Sequence, residues 1–379
     1  MKKTLVALAA MAAITGAMAD AKLSGVVDQA ITSTGATDAA GAKTTKKSFG
    51  EDLNGYSELG VSGSEDLGNG LTATYGINLN MGLSTAGNTP TIYNGSGVGL
   101  KGPFGAVSIG TSYNLNFFTN AMADPTGFGL SAGQLNGQAG GLAKNLLSYT
   151  APTLIPGLSL AAEMQRGEAS TSAGNATGYM AQYDTGGLMV RYSSSTKTEA
   201  ANGTTISSVC DDEQCGSTTD TYTQTNQMTS AKIGGTATEL AARTALDKTK
   251  STAWAATYDF GMAKVFYGAS TIKSNTTVAQ IKSTTTGISV PFGAINVAYA
   301  VSSEKGTSDA SGFDADGVAT TLASGDTVES TGSRLFVTYT LSKRTTLYGY
   351  SGKASVDTIS GAASTLKSTS TSFGIKHAF

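Results

Sequence analysis

The chain has 379 residues, of which 14% are charged, 48 are glycine and six are proline, whereas soluble domains carry about 25% charged residues. Its 25 basic and 27 acidic residues give a formal net charge of −2, a balance that offers no indication of nucleic-acid binding. So few charges, with no apolar run after the first residues long enough for a membrane helix, favour a membrane β-barrel or a secreted β-repeat protein.

The first element in the chain is a secretory leader. Two lysines precede an apolar run over 5–14, and small residues follow at Ala17 and Ala19. The run is too short to span a bilayer as a helix, and the small-x-small ending is typical of a signal peptidase site before Asp20. We therefore predict a signal peptide over 1–19.

Beyond the leader, apolar and polar residues alternate with a period of two. In the segment 71–80, apolar residues occupy the odd positions and polar or small residues the even ones, and the pattern recurs at 295–300 and 334–341. This period predicts strands with one apolar and one polar face. No break in composition marks a linker, so we predict one domain over 20–379.

Short turns and long loops separate the alternating segments. Seven short turns are predicted, at Ser64–Gly70, Gly102–Gly105, Ala151–Gly157, Asp184–Gly187, Asp259–Gly261, Val290–Gly293 and Leu341–Thr345. Eight longer polar stretches lie between them, at approximately 34–51, 84–90, 114–143, 168–176, 196–250, 273–278, 305–329 and 354–366. This layout is typical of barrels in the bacterial outer membrane. The predicted fold class is therefore all-β, a 16-stranded antiparallel barrel that leaves no free strand edge in the bilayer.

Five stretches of the chain resemble a known family. They are Leu23–Asp28, Glu58–Leu71, Val98–Gly110, Tyr339–Thr345 and Phe373–Phe379. In this order they are similar to five parts of the trimeric general porins of betaproteobacteria: the first strand; the second strand, first periplasmic turn and third strand; the strand pair before the constricting loop; the last periplasmic turn; and the closing strand. The resemblance implies an outer-membrane homotrimer whose water-filled channels let small hydrophilic solutes and ions diffuse passively.

The polar faces of the strands would line such a channel, and their charged residues are candidates for the pore wall. Alternation places seven of them on the inner face: Asp28, Glu58, Lys144, Glu163, Arg191, Lys264 and Arg334. The resemblance implies that the loop over 114–143 folds inward as the third loop and narrows the channel, and Asp124 is its only charge. The plainer alternative for each candidate is a solvated wall charge without a role at the constriction.

Ion preference is predicted from the charges that would face this loop. The resemblance implies a cluster of arginines there, but Glu58 and Thr111 occupy positions where arginine is expected, while Lys144 keeps a basic residue. Rings of charge set ion preference in wide channels. We therefore expect little anion preference or a mild cation preference.

The end of the chain carries a second export feature. Phe379, with apolar residues at alternate positions before it, resembles the signal read by the barrel-assembly machinery. Together with the leader it predicts export through the periplasm and then insertion into the outer membrane, among lipid and lipopolysaccharide.

Two cysteines lie in the long loop 196–250, which we expect at the cell surface. Cys210 and Cys215 enclose four polar residues, and an exported chain meets conditions that permit a disulfide. We predict a small disulfide-closed loop, because a metal site lacks the further ligands it would need.

Two other kinds of function are compatible with parts of the sequence. A secreted structural, surface-layer or adhesive protein would share the richness in Ser, Thr, Gly and Ala. An outer-membrane lipid hydrolase would need a histidine beside a nucleophile. The single histidine, His377, has the same parity as Phe373 and Ile375 and would therefore face lipid with them. The sequence therefore favours a channel with no enzymatic activity and no cofactor.

Overall fold

The computed structural model describes residues 21–37, 41–51, 57–83, 90–126, 141–167, 174–198, 221–225, 232–236, 248–274, 280–307, 312–313, 319–320, 327–358 and 365–379. The predicted leader over 1–19 and the predicted pair Cys210 and Cys215 lie outside these residues. No helix in the described part of the chain is long and apolar enough to span a bilayer, which has no bearing on crossing by strands.

Sixteen strands form a closed antiparallel ring, which confirms the predicted barrel. They are β1 Lys22–Thr37, β2 Glu58–Gly68, β3 Leu71–Asn80, β4 Ser96–Gly102, β5 Gly105–Tyr113, β6 Leu142–Thr150, β7 Leu158–Gln165, β8 Ala176–Thr185, β9 Leu188–Thr198, β10 Lys248–Asp259, β11 Lys264–Ser274, β12 Gln280–Phe292, β13 Ile295–Thr307, β14 Thr327–Thr340, β15 Thr345–Thr358 and β16 Thr365–Ala378. Each strand pairs with the next in the chain, and β16 pairs with β1.

The seam between β16 and β1 closes the ring. The paired residues run from Val26 opposite Ala378 to Thr37 opposite Lys367. Just below this ladder, Gly25 and Phe379 exchange two backbone hydrogen bonds of 3.1 and 3.0 Å. A Cβ on Gly25 would come within 2.3 Å of the Phe379 ring, so a larger residue there would force the terminal ring to shift from its place on the seam.

Short connections gather at one end of the barrel, which we call the turn end, and the long ones lie at the loop end. All seven predicted short turns are present, although β2 continues to Gly68, well past the predicted start of its turn at Ser64. Asn69 and Gly70 alone then connect β2 to β3, with φ of 53° and 77°. Two residues in the left-handed region suit the twist of a tight hairpin.

The loop end contains more strand than the polarity of its residues predicts. The prediction of a loop over 34–51 is wrong for Lys43–Gly50, which is a strand paired with the last part of β1. Further short strands are Thr91–Ile92, which pairs with β3, and the hairpins of Thr221–Thr225 with Lys232–Thr236 and of Gly312–Phe313 with Ala319–Thr320.

Alternation gives the barrel wall two different faces. On β10 and β11, Trp254 and Tyr267 point outward and are 51% and 49% exposed. Ala253 and Ala255, which alternate with Trp254, are buried on the inner side. On β10 the large side chains thus face outward and the inner face carries small and polar ones, whereas on β14 and β15 the large side chains of Phe336, Tyr348 and Tyr350 are buried on the inner side.

Candidate pore constriction

The chain between β5 and β6 turns into the barrel and lies on its inner wall. Its first part is helix α1, Leu115–Ala121, which packs against β8, β9, β10 and β11. The Asn114 side chain accepts a 2.8 Å hydrogen bond from the backbone N–H of Phe117 and so caps the helix. The predicted inward fold of 114–143 is thus present over 114–126, and the strand β6 already begins at Leu142.

Two charged residues of the wall hold this helix. Glu163 on β7 accepts a 3.0 Å hydrogen bond from the backbone N–H of Leu115, and a carboxylate is favourable at a helix N-terminus. Arg191 on β9 donates from Nε to Thr119 Oγ1 at 2.9 Å and from Nη1 to Gln182 Oε1 at 3.2 Å. Both residues were candidates for the pore wall, and both contact the loop.

A buried amide adds a third attachment. Asn116 of α1 donates from Nδ2 to Ser195 Oγ at 2.9 Å and to the backbone carbonyl of Ser251 at 3.2 Å. Asn116 is almost fully buried, so these contacts tie the helix to β9 and β10 out of reach of water.

Beyond α1, the loop lies against two glycines of the wall. A Cβ on Gly268 of β11 would come within 2.3 Å of Ala123 Cβ, and one on Gly287 of β12 within 2.7 Å of Pro125. Neither position leaves room for a larger residue while the loop stays where it is. The two glycines therefore set how closely the loop approaches the wall.

Two charged residues, Asp124 and Arg334, form hydrogen bonds with the last described residue of the loop, Thr126. Asp124, buried in the structure, accepts hydrogen bonds from the Thr126 backbone N–H at 2.7 Å and the Thr126 hydroxyl at 2.6 Å. Arg334 on β14 donates a long 3.5 Å hydrogen bond to the carbonyl of Thr126, and its guanidinium lies 4.2 Å from the ring centroid of Tyr350. Arg334 thus joins the wall to the loop, whereas these two bonds of Asp124 are made within the loop.

Aromatic rings border the start of the loop. Tyr113 stacks on Phe117 with centroids 3.8 Å apart, and Phe118 meets the Tyr113 ring edge-on at 6.1 Å. The hydroxyl groups of Tyr93 and Tyr113 are hydrogen-bonded to each other. Because Phe117 and Phe118 are partly exposed, the constriction has an aromatic border on this side.

A cluster of three charges lies on β1, β2 and β16. Asp28 and Lys376 are cross-strand partners, and Lys376 interacts electrostatically with both Asp28 and Glu58. Asp28 is fully buried and accepts a 2.6 Å hydrogen bond from the Tyr348 hydroxyl. One ammonium group between two carboxylates leaves this part of the wall negative.

Lys264 is a predicted candidate that lies away from the loop. It begins β11 at the turn end, opposite Asp259, with Nζ 5.4 Å from the centroid of the Phe266 ring. It is therefore a wall charge near the turn end of the barrel.

Lys144 and Thr111 fall where the wall is irregular. The register between β5 and β6 shifts between Gly110 and Ser112, and Asn145 has a φ of 53°. A bulge interrupts the alternation of faces, so the parity argument does not apply at these two positions. Lys144 itself is exposed.

Lys376 is a charged residue of this site that the sequence analysis missed. It alternates with Ile375 and His377 on β16, so the same parity argument that found the other charges would have placed it inward. His377 is exposed, and its Nδ1 is hydrogen-bonded to Thr345 Oγ1 at 2.9 Å. Within the described ranges, no group of three or more His, Cys, Asp or Glu residues is placed to bind a metal ion.

The chain matches a family of known sequences. The family model described as Gram-negative porin matches residues 5–358. The major outer membrane protein P.IB of Neisseria gonorrhoeae is 38% identical over 113 residues, which are 29% of this chain and 32% of that protein. Outer membrane porin protein 32 of Delftia acidovorans is 35% identical over 167 residues, 40% of this chain and 46% of that protein. The matched segments thus span less than half the length of these relatives.

Solved structures share the fold over nearly the whole chain. The anion-selective porin from Comamonas acidovorans has a TM-score of 0.65 at 20% identity, covering 96% of this chain and 100% of that one. The trimer form of OmpT from Vibrio cholerae has a TM-score of 0.61 at 12% identity, covering 95% and 99%. Identities this low show the fold alone.

The family match covers most of the sequence and confirms the predictions of an outer-membrane location and of a protein that is not an enzyme. This chain is therefore a member of the Gram-negative porin family.

Proposed function

We propose that the chain forms a water-filled channel through which small hydrophilic solutes and ions diffuse passively across the outer membrane. The observation that carries this proposal is the segment 114–126, held on the inner wall by Glu163, Arg191 and Arg334. A loop fixed in the lumen narrows the barrel. It does not fill the barrel, because its contacts are all on one side of the wall, from β7 to β14. What remains of the lumen, next to Glu58 and Lys376, is the path for solutes.

The charges around the constriction support weak selectivity or a mild preference for cations. Four are acidic and three are basic: Asp28, Glu58, Asp124 and Glu163 against Arg191, Arg334 and Lys376. Arg191 and Arg334 contact the loop, so they do not form an open row of arginines. Charged rings govern ion preference in wide pores, and this near-balance contrasts with the anion selectivity named for the Comamonas acidovorans porin.

Reconstitution in planar bilayers tests both parts of the proposal. We expect single-channel conductance that scales with bulk salt, and a reversal potential near zero or slightly on the cation side under a salt gradient. Absence of conductance from correctly folded protein would refute the channel. A clear anion preference would refute the proposed selectivity and leave the channel intact.

The same proposal includes assembly. We propose a homotrimer, supported by the shared fold with the trimer form of OmpT, and three equal closing steps in the bilayer recording are the expected sign. Removal of 1–19 would precede insertion by the barrel-assembly machinery, with Phe379 as its signal. The barrel would then lie among outer-membrane lipid and lipopolysaccharide, with the loop end facing outside.

A further inference from the structure

The aromatic border at the beginning of the constricting loop is one continuous cluster of four rings, those of Tyr93, Tyr113, Phe117 and Phe118. Tyr113 stacks on Phe117, with centroids 3.8 Å apart and planes 10° apart. Tyr93 meets the Tyr113 ring edge-on at 5.6 Å, and Phe118 meets the Phe117 ring at 5.9 Å with planes 76° apart. The rings of the cluster therefore face in two nearly perpendicular directions.

The helix α1 turns part of this border toward the lumen. Asn116, Thr119 and Asn120 are buried on the side of the helix that faces the wall. With 3.6 residues per turn, Phe118 comes on the opposite side of the helix and Phe117 between the two sides. Both rings remain partly exposed. A solute that passes the constriction therefore meets ring surface on this side.

A carboxylate of the wall lies one strand away from one end of the border. Glu58 on β2 is opposite Asn80 of β3, and the carbonyl of Asn78 accepts a 2.8 Å hydrogen bond from the backbone N–H of Tyr93. Strand spacing and rise place the backbone of Glu58 about 8 Å from that of Asn78. Alternation puts both side chains on the inner face, so the carboxylate and the rings border the same part of the lumen.

Charge at this end of the border favours a positive solute. Lys376 is shared between two carboxylates of the wall, one of which is Glu58, so the negative charge there exceeds the positive charge. The exposed Lys144 lies at the other end, because Leu142, two residues before it, is the cross-strand partner of Tyr113. The faces of aromatic rings are themselves negative and attract ammonium groups.

We infer that the aromatic border is a binding subsite for solutes that combine an aromatic ring with a positive charge. The ring of such a solute would pack against Phe118, and its ammonium group would lie toward Glu58. A neutral sugar could pack on the rings but would gain nothing from the carboxylate. The inference rests on the proposed channel and names a class of solutes that the constriction would retain longer than simple ions.

Block of the ion current by small organic ions tests the subsite. Recording in planar bilayers in about 0.1 M KCl keeps charges effective over about 10 Å. Benzylammonium has the ring and the positive charge, cyclohexylmethylammonium has the charge and a similar size without an aromatic ring, and benzoate has the ring with a negative charge. We expect benzylammonium to block at concentrations about twofold to tenfold lower than either of the others.

Substitutions then assign the block to the border. Phe118→Leu should weaken the block by benzylammonium about twofold to tenfold and leave the block by cyclohexylmethylammonium unchanged, whereas Phe118→Tyr should retain both. Glu58→Gln should weaken the block by both ammonium ions about twofold to fivefold. The matched control is Phe266→Leu, which removes a partly exposed inward ring beside Lys264, near the turn end, and should be blocked like the parental channel.

Three results would overturn the inference while the channel still conducts. The first is equal block of the parental channel by benzylammonium and cyclohexylmethylammonium, or stronger block by benzoate. The second is equal weakening in Phe118→Leu and Phe266→Leu. The third is a loss of block by every ion in Phe118→Leu together with a change in its open conductance, which would assign the ring to packing of the loop. Absence of any conductance would instead refute the proposed channel, and the subsite with it.

Discussion

Arg191 and Thr119 join the barrel wall to the helix inside it, through a 2.9 Å hydrogen bond from Nε to Oγ1 that is buried on both sides. Hydrogen bonds to charged groups contribute about 1.5–3 kcal/mol. The constriction therefore depends on Arg191 for its structure. Its charge alone would suggest only a role in ion selectivity.

Removing that bond should loosen the loop. We expect Arg191→Met and Thr119→Val each to increase open-channel current noise and to lower the temperature at which the folded protein unfolds on heated gels. Thr119→Val leaves the charge of the pore unchanged, so a shift in noise with it must come from the loop. Lys264→Met serves as the control, because it removes a wall charge near the turn end. If the noise of Arg191→Met equals that of Lys264→Met, the anchor role is wrong.

Gly268 should be intolerant of any side chain. Gly268→Val introduces a Cβ that would lie 2.3 Å from Ala123 Cβ, and overpacking of this kind costs about 1–3 kcal/mol. We expect the loop to move off β11 and the conductance to change, while the barrel still folds. Ala269→Val, on the outward face of the same strand, is the matched control and should leave conductance unchanged. Unchanged conductance in Gly268→Val would show that the loop does not rest there.

Ion preference should respond in opposite directions to the two partners Glu58 and Lys376. Glu58→Arg replaces a negative by a positive charge beside the constriction and should move the reversal potential toward anions. Lys376→Gln leaves two carboxylates without their ammonium partner and should move it toward cations. Lys305→Gln, on the outward face in an exposed ion pair with Glu329, should have no effect. Shifts of the same sign in both pore variants would contradict the proposed cluster.

The barrel itself could be predicted because lipid imposes one rule on every strand. Each wall segment must alternate apolar and polar residues, so segments such as 71–80 reveal a strand without knowledge of its neighbours. The rule does not apply to strands that extend beyond the bilayer, because no lipid contacts their outer face. Lys43–Gly50 is a strand paired with β1, yet apart from Phe49 its residues are polar or small, and this polarity led to the prediction of a loop.

The roles of the charged residues could not be predicted in the same way. Parity indicates which face carries Glu163 and Arg191, but their contacts with Leu115 and Thr119 join residues 48 and 72 positions apart. Alternation contains no information about such contacts. At Lys144 parity does not even predict which face carries the side chain, because the bulge between β5 and β6 interrupts the alternation of inward and outward residues.

The hydrogen bond from Tyr348 to Asp28 should contribute more to stability than a similar bond nearby. Tyr348→Phe removes a 2.6 Å bond to a fully buried carboxylate, whereas Tyr350→Phe removes a 3.3 Å bond to the Ser370 hydroxyl. Hydrogen bonds to charged groups contribute about 1.5–3 kcal/mol and neutral ones about 0.5–1.5 kcal/mol. We therefore expect Tyr348→Phe to lower the free energy of unfolding in urea, measured in detergent, by the larger amount. Equal losses would show that Asp28 satisfies its charge through Lys376 and its other contacts, and that the tyrosine hydroxyl adds little to the seam.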